Sequence, residues 1–223
     1  MTRPLQLPAV QAVMEFVKGS DRLLELDFTG SAASPDAATM ADTSLFSDWV
    51  EQKILEAGCR YGIGGYRENR LIYASRNLFD GEGEARSLHL GTDIWGPAGT
   101  AVFAPLDGRV HSFGYNEGNG NYGGTIILEH STGGEHFYTL YGHLSKGSLE
   151  GVVTGKMFRA GEQVATLGDA AENGNWPPHL HFQVMLAMDG WEGDYPGVCK
   201  PSEQEKWLQN SPDPMGILGG AFV

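Results

Sequence analysis

The chain has 223 residues, 41% of them hydrophobic and 19% charged, with a formal net charge of -13. This is the composition of a soluble globular protein of one domain, or one domain with an N-terminal addition. No Lys/Arg cluster occurs and an acidic surface repels phosphate backbones and anionic lipid, so neither nucleic acid nor membrane is expected as a partner. Such a surface suits a basic or zwitterionic substrate, although net charge speaks first to solubility.

The 32 glycines lie among short Val/Ile/Phe/Tyr runs, which points to turns between strands and a mainly β protein. Cys59 and Cys199 are far apart and form neither a disulfide framework nor a CxxC pair. In MTRPLQLPAVQAVMEFVKGSDR, Pro4, Pro8, Gln11 and Glu15 break the apolar run that a signal peptide needs. No stretch reaches transmembrane length, so a cytoplasmic location is the expectation.

In chain order, residues 1–30 mix a short helical pattern with an alternating run, Leu24, Leu26 and Phe28, that reads as a strand. Residues 29–42, TGSAASPDAATMAD, are small and polar and read as a linker. A helix is expected over about 44–58, with N-caps among Asp42, Thr43 and Ser44, an apolar stripe of Phe46, Val50 and Ile54, and a stop at Gly58. From residue 71 the runs LIYAS, TAVFAP, GRVHSF, TIILEH, HFYTLYG, QVATLG and HLHFQVMLA read as strands of a small antiparallel sheet, barrel or sandwich. The divisions expected are an N-terminal extension over 1–70, a β domain over 71–192 and an irregular tail over 193–223 packed on it.

Gly118–Gly123, GNGNYG, matches GxGxxG, but a strand follows where the dinucleotide fingerprint needs a helix, so it reads as a hairpin loop. HExxH, GxSxG and GxxxxGK[ST] do not occur. Of the seven histidines, His111, His130 and His136 read as structural or surface residues. The other four fall in HLGTD (His89 to Asp93), YGH (His143) and HLH (His179 to His181). Positions i and i+2 of a strand share a face, so His179 and His181 point at one site behind the stiff NWPP entry. A catalytic zinc keeps three protein ligands and one open position. His89, Asp93 and one histidine of HLH make such a set, and spacing does not choose which. Tyr138 and Tyr141 read as core packing, and Trp176 as a groove wall or a packing anchor.

HLGTD, DIWGPAGTAVFAPLDGRV, TIILEH, TLYGHLS and GDAAENGNWPPHLHFQV, in this order from Leu88 to Met185, resemble the lysostaphin-type (LytM-like) zinc metallopeptidases. The resemblance implies a small, mostly antiparallel β fold with Zn2+ held by His89, Asp93 and His181, and with His143 and His179 as catalytic histidines beside it. It implies hydrolysis of a peptide bond, as in cell-wall peptides, with a small cytoplasmic amide or amino-acid conjugate as the alternative substrate and a non-catalytic binding module as the third reading. YRENRL (Tyr66 to Leu71) and the segment PGVCKPSEQEKWLQNSPDPMGIL resemble more closely a metallopeptidase-like module of cytoplasmic kinase/aminotransferase fusion proteins.

Overall fold

Four of the strand-like runs, GRVHSF, TIILEH, HFYTLYG and HLHFQVMLA, pair within one large sheet. The computed structural model describes residues 7–75 and 84–222, so the first six residues of the expected extension lie outside it. The main sheet has the order β1-β2-β4-β11-β8-β7-β6-β9. β1 (Leu23–Glu25) and β2 (Tyr61–Gly64) pair in parallel. The remaining neighbours are antiparallel: β4 (Thr92–Trp95), β11 (His179–Met185), β8 (Glu135–Leu144), β7 (Gly123–Thr132), β6 (Gly108–Asn116) and β9 (Met157–Phe158). Two short ladders flank it, β5 (Ala101–Phe103) with β10 (Gln163–Thr166) and β3 (Leu88–His89) with β12 (Val198–Cys199). The fold is mainly β, as expected, without closing into a barrel.

β11 carries the link between core and chemistry. Leu180, Phe182 and Val184 alternate into the main core with Ile94, Ile126 and Tyr141. Burying each such side chain contributes about 1.5–3 kcal/mol, which pins the register of the strand. The intervening positions, His179, His181 and Gln183, are thereby committed to the opposite face. On that face Gln183 meets Pro196 and Ser211, and all seven β11 residues are buried.

Several local expectations give way to packing. LIYAS is a 3-10 helix, Leu71–Ser75, because adjacent Ile72 and Tyr73 are both buried, which no strand facing one core allows. The linker at 29–42 contains a short helix, α1 (Ala37–Ala41), capped by Asp36 and anchored by Met40. The helical pattern near the start is extended chain instead: Gln11 and Val13 bond to the main chain of Pro105 and Phe103, and Val13 and Met14 are fully buried. The predicted helix is α2 (Thr43–Glu56), with Asp42 accepting from the Ser44 and Leu45 amides, a cap worth about 1 kcal/mol. Its Phe46 meets Phe28 edge-on at 5.4 Å, and Phe28 packs on Trp95 at 5.1 Å, which ties the N-terminal segment to β4. The tail expected to be irregular contains α3 (Gln204–Asn210) and α4 (Met215–Phe222), with Ile217 and Leu218 in the core. Among the described residues no helix is long and apolar enough to cross a membrane.

Candidate metal centre

His89 ends β3, Asp93 sits in β4 and His181 lies opposite Asp93 on β11, so strand pairing brings the three together. His89 Nε2, His181 Nδ1 and Asp93 Oδ1 form a triangle with sides of 2.9, 3.0 and 3.3 Å. Donors on zinc at 2.0–2.1 Å stand about 3.3 Å apart at the tetrahedral angle, so the triangle matches one face of such a site. Gly91 makes the approach possible, since a Cβ there would fall 2.6 Å from His181 Cε1.

The protons can be assigned from carbonyl partners, because a carbonyl only accepts. His89 Nδ1 donates to the Gly65 carbonyl at 3.0 Å, which leaves Nε2 with its lone pair toward the triangle. Gln183 Nε2 donates to the Pro196 carbonyl at 3.2 Å and to Ser211 Oγ at 3.1 Å, so Gln183 Oε1 faces His181. His181 Nε2 then donates to that oxygen at 2.9 Å, and Nδ1 is the lone pair. Asp93 turns its second oxygen, Oδ2, to Arg70 Nη1. Lone pairs thus converge without a hydrogen between them, which suits a bound cation and fits zinc in donor type, number and spacing.

Burial, with the charge of Arg70 behind it, pushes the His89 imidazole down to about 3. The ring is therefore neutral, the form that ligates a metal. Burial alone would raise the Asp93 carboxyl, but the charged surroundings, the Arg70 guanidinium among them, outweigh it and hold it well below the usual carboxylate range.

His143 and His179 stand beside the triangle, their rings 4.2 Å apart. Their Nδ1 atoms donate to the carbonyls of Asn173 at 2.8 Å and Pro177 at 2.7 Å, which leaves both Nε2 atoms as acceptors. Burial pushes both imidazoles down, His143 well below its ordinary value. His143 sits at φ +61°, a left-handed conformation uncommon for a residue with a Cβ. Its amide donates to the Tyr122 carbonyl and its carbonyl accepts from the Gly168 amide, both at 2.9 Å, so two neighbouring loops hold the strained residue. His179 stacks on Trp95 at 5.6 Å.

The five residues singled out in the sequence therefore come together: Asp93, His143, His179 and His181 line one groove, walled by Tyr122, Trp176, Trp191 and Tyr195 with Arg86 and Asp194 on its lining, and His89 meets Asp93 and His181. Trp176 is both wall and anchor, 4% exposed and edge-on to Tyr73. Tyr141 is core, its hydroxyl bonded to Thr139, while Tyr138 packs with His111 and His136 on the outer side of the sheet. His130 is buried and bonded to the Asp107 carbonyl and Thr139, the structural role expected of it. Sequence reasoning missed Gly65, Arg70, Tyr122 and Gln183. Gln183 carried a signal, being two residues beyond His181 on the same strand face.

Residues 87–192 match the sequence profile of peptidase family M23. This stretch is similar to the M23 peptidases. The chain is 32% identical over 170 residues to peptidoglycan DD-endopeptidase ShyC of Vibrio cholerae, a match covering 76% of this chain and 36% of the relative. It is 34% identical over 99 residues to an uncharacterized metalloprotease of Haemophilus influenzae, covering 44% of this chain and 18% of that one. The chain thus spans about a third of the first of these relatives and under a fifth of the second. The catalytic domain of the antimicrobial peptidase lysostaphin from Staphylococcus simulans aligns with a TM-score of 0.43 at 24% identity, over 72% of this chain and 97% of that domain. The M23 match and the His/Asp/His donor set agree with the expectation of a zinc peptidase.

Proposed function

We propose that this chain is an M23-type, zinc-dependent endopeptidase that cuts peptide bonds in peptidoglycan. The observation that carries the reading is the triangle of unprotonated donors, His89 Nε2, Asp93 Oδ1 and His181 Nδ1, next to two neutral histidines that each present a free Nε2. The relative matched over most of this chain supports the substrate, since its name gives peptidoglycan as what it cuts. The small cytoplasmic amide considered from sequence draws no support from those relatives. YRENRL and the C-terminal segment mark, in this reading, the branch of the family found in kinase/aminotransferase fusion proteins.

Bound zinc supplies a Lewis acid and a water acidic enough to attack a carbonyl near neutral pH. The chain's own residues do the rest. His89, Asp93 and His181 would hold the ion. His143 and His179, kept neutral by burial, take a proton at Nε2 and return it to the departing amine. Once protonated, the same Nε2–H donates to the oxyanion. Tyr122, Trp176 and Trp191 wall the groove and limit the water that reaches these atoms.

The test is product analysis by mass spectrometry after zinc-loaded protein is incubated with purified peptidoglycan, with His179→Ala as the blank. New muropeptides absent from the blank support the reading and identify the bond. Their absence, from protein carrying one zinc per chain, overturns the substrate assignment.

A further inference from the structure

The metal centre receives part of its frame from residues that precede the M23 match. The Gly65 carbonyl fixes the tautomer of His89, and Arg70 binds Asp93, yet the match begins at residue 87. Arg70 is 2% exposed. Its Nη1 donates to Asp93 Oδ2, and its Nε donates to Glu68 Oε2 at 2.6 Å. Glu68 is held in turn, its Oε1 accepting from the Phe28 amide at 2.9 Å. The guanidinium lies over the rings of Phe28 and Trp95, 5.5 and 5.6 Å from their centroids.

This is a poor arrangement for stability alone. Burying a guanidinium and two carboxylates costs more desolvation than pairing reliably returns. Arg70 Nη2 is also buried without a hydrogen-bond partner, a loss of about 1–3 kcal/mol for an unmet donor. What the arrangement does achieve is geometric. A carboxylate binds a metal through one oxygen or two, and a second bound oxygen would fill the position that a catalytic site keeps open. With Oδ2 held by Nη1 of Arg70, whose Nε is tied to Glu68, only Oδ1 of Asp93 turns to the triangle.

We propose that Arg70 is a positioning residue of the metal centre: from the N-terminal segment it restricts Asp93 to single-oxygen ligation and so sets the number of protein donors at three. The proposal rests on the zinc reading above and adds to it a residue outside the family match. A lysine would supply charge without the planar group that reaches Glu68 and Asp93 at once, so Arg70→Lys separates orientation from neutralisation.

The experiment uses the full chain, unsubstituted and as Arg70→Lys and Arg70→Met. Zinc affinity is measured by competition with a chelator, the visible absorption of the Co2+-loaded protein reports coordination number, and melting of the metal-free protein reports the fold. Arg70→Lys is expected to fold, to lose about 10–100-fold in zinc affinity, the usual effect of a partner behind a ligand, and to show the weaker Co2+ bands of a higher-coordinate ion. Arg70→Met, where it folds, should show the same change more strongly. An Arg70→Lys protein with unaltered zinc affinity and Co2+ spectrum overturns the proposal. So does weaker affinity with an unaltered spectrum, the pattern of a merely structural residue. Failure of the unsubstituted chain to bind zinc overturns the reading underneath and is distinguishable from either.

Discussion

His179 and His181 share one face of β11 yet turn opposite ring nitrogens toward Asp93 Oδ1. His181 offers Nδ1 at 3.0 Å, its Nε2 being committed to Gln183. His179 offers Nε2 at 3.9 Å, its Nδ1 being turned back to the Pro177 carbonyl. The first completes the donor triangle, and the second stands one layer out, beside His143. His181→Ala is therefore expected to lose zinc and activity together. His179→Ala should keep its zinc and lose about 10²–10⁴-fold in kcat, the usual weight of a general acid–base group. Metal content by atomic absorption alongside kcat decides it: equal zinc loss in both variants would reverse the assignment.

Gln183 is expected to matter for metal and fold separately. Its amide reads the Pro196 carbonyl and Ser211 on one side and so presents oxygen to His181 on the other. Gln183→Met removes that oxygen and frees the His181 tautomer, for which about 10–100-fold weaker zinc binding is expected. The Pro196 carbonyl and Ser211 hydroxyl also lose a donor, which costs about 1–3 kcal/mol in the metal-free protein. Calorimetric zinc titration measures the first effect, and chemical denaturation in chelator measures the second. A variant destabilised to that degree with unaltered zinc binding would show that the tautomer is set elsewhere.

The two histidines of HLH illustrate what sequence conveys and what it withholds. That they face one site follows from the two-residue period of a strand, and the flanking Leu180 and Phe182 secure it by filling the core. Which one completes the triangle depends on the nitrogen each turns inward, set by a loop carbonyl and by Gln183, contacts with no periodic signature. Arg70 is harder still, because its partner Asp93 is 23 positions away and an ion pair across that distance leaves no pattern in the chain. LIYAS misled for a local reason: five residues of strand-forming composition say nothing about whether a neighbouring strand exists to pair with. The segment at 29–42 looked empty because a single methionine, Met40, anchors its short helix.

His130 links the sheet to pH. Burial pushes its imidazole below the ordinary value, partly opposed by the Asp107 carbonyl bond and by the charge of Glu129. Phe137 stacks on the ring at 5.0 Å, and its Nε2 meets Thr139 at 2.8 Å. A histidine whose folded pKa is lowered contributes stability in full above its unfolded value of about 6.5, and that stability is lost as pH falls toward the folded value. Denaturant melts at pH 7 and pH 5 should show the decline. His130→Asn keeps a donor toward Asp107 and does not titrate, so it should be less stable at pH 7 with a shallower fall to pH 5. An equally steep fall in the variant would place the acid sensitivity elsewhere.

Gly91, inside HLGTD, separates loss of metal from loss of fold most cleanly. Its backbone is not left-handed, so alanine meets no conformational penalty there, and the objection is purely spatial. An alanine Cβ would stand 2.6 Å from Cε1 and 2.7 Å from Nε2 of His181, and 2.9 Å from the Phe182 carbonyl. Those distances are far inside van der Waals contact. The ring is the part able to yield, since Phe182 O belongs to a strand paired on both sides. Turning the ring away pulls Nδ1 from the triangle and Nε2 from Gln183 at once. Gly91→Ala is therefore expected to fold, with about 1–3 kcal/mol lost to overpacking, and to bind zinc far more weakly. Far-ultraviolet dichroism with a zinc competition assay tests both halves. A folded Gly91→Ala protein that binds zinc as the unsubstituted chain does would mean that His181 is not held where its lone pair serves the ion.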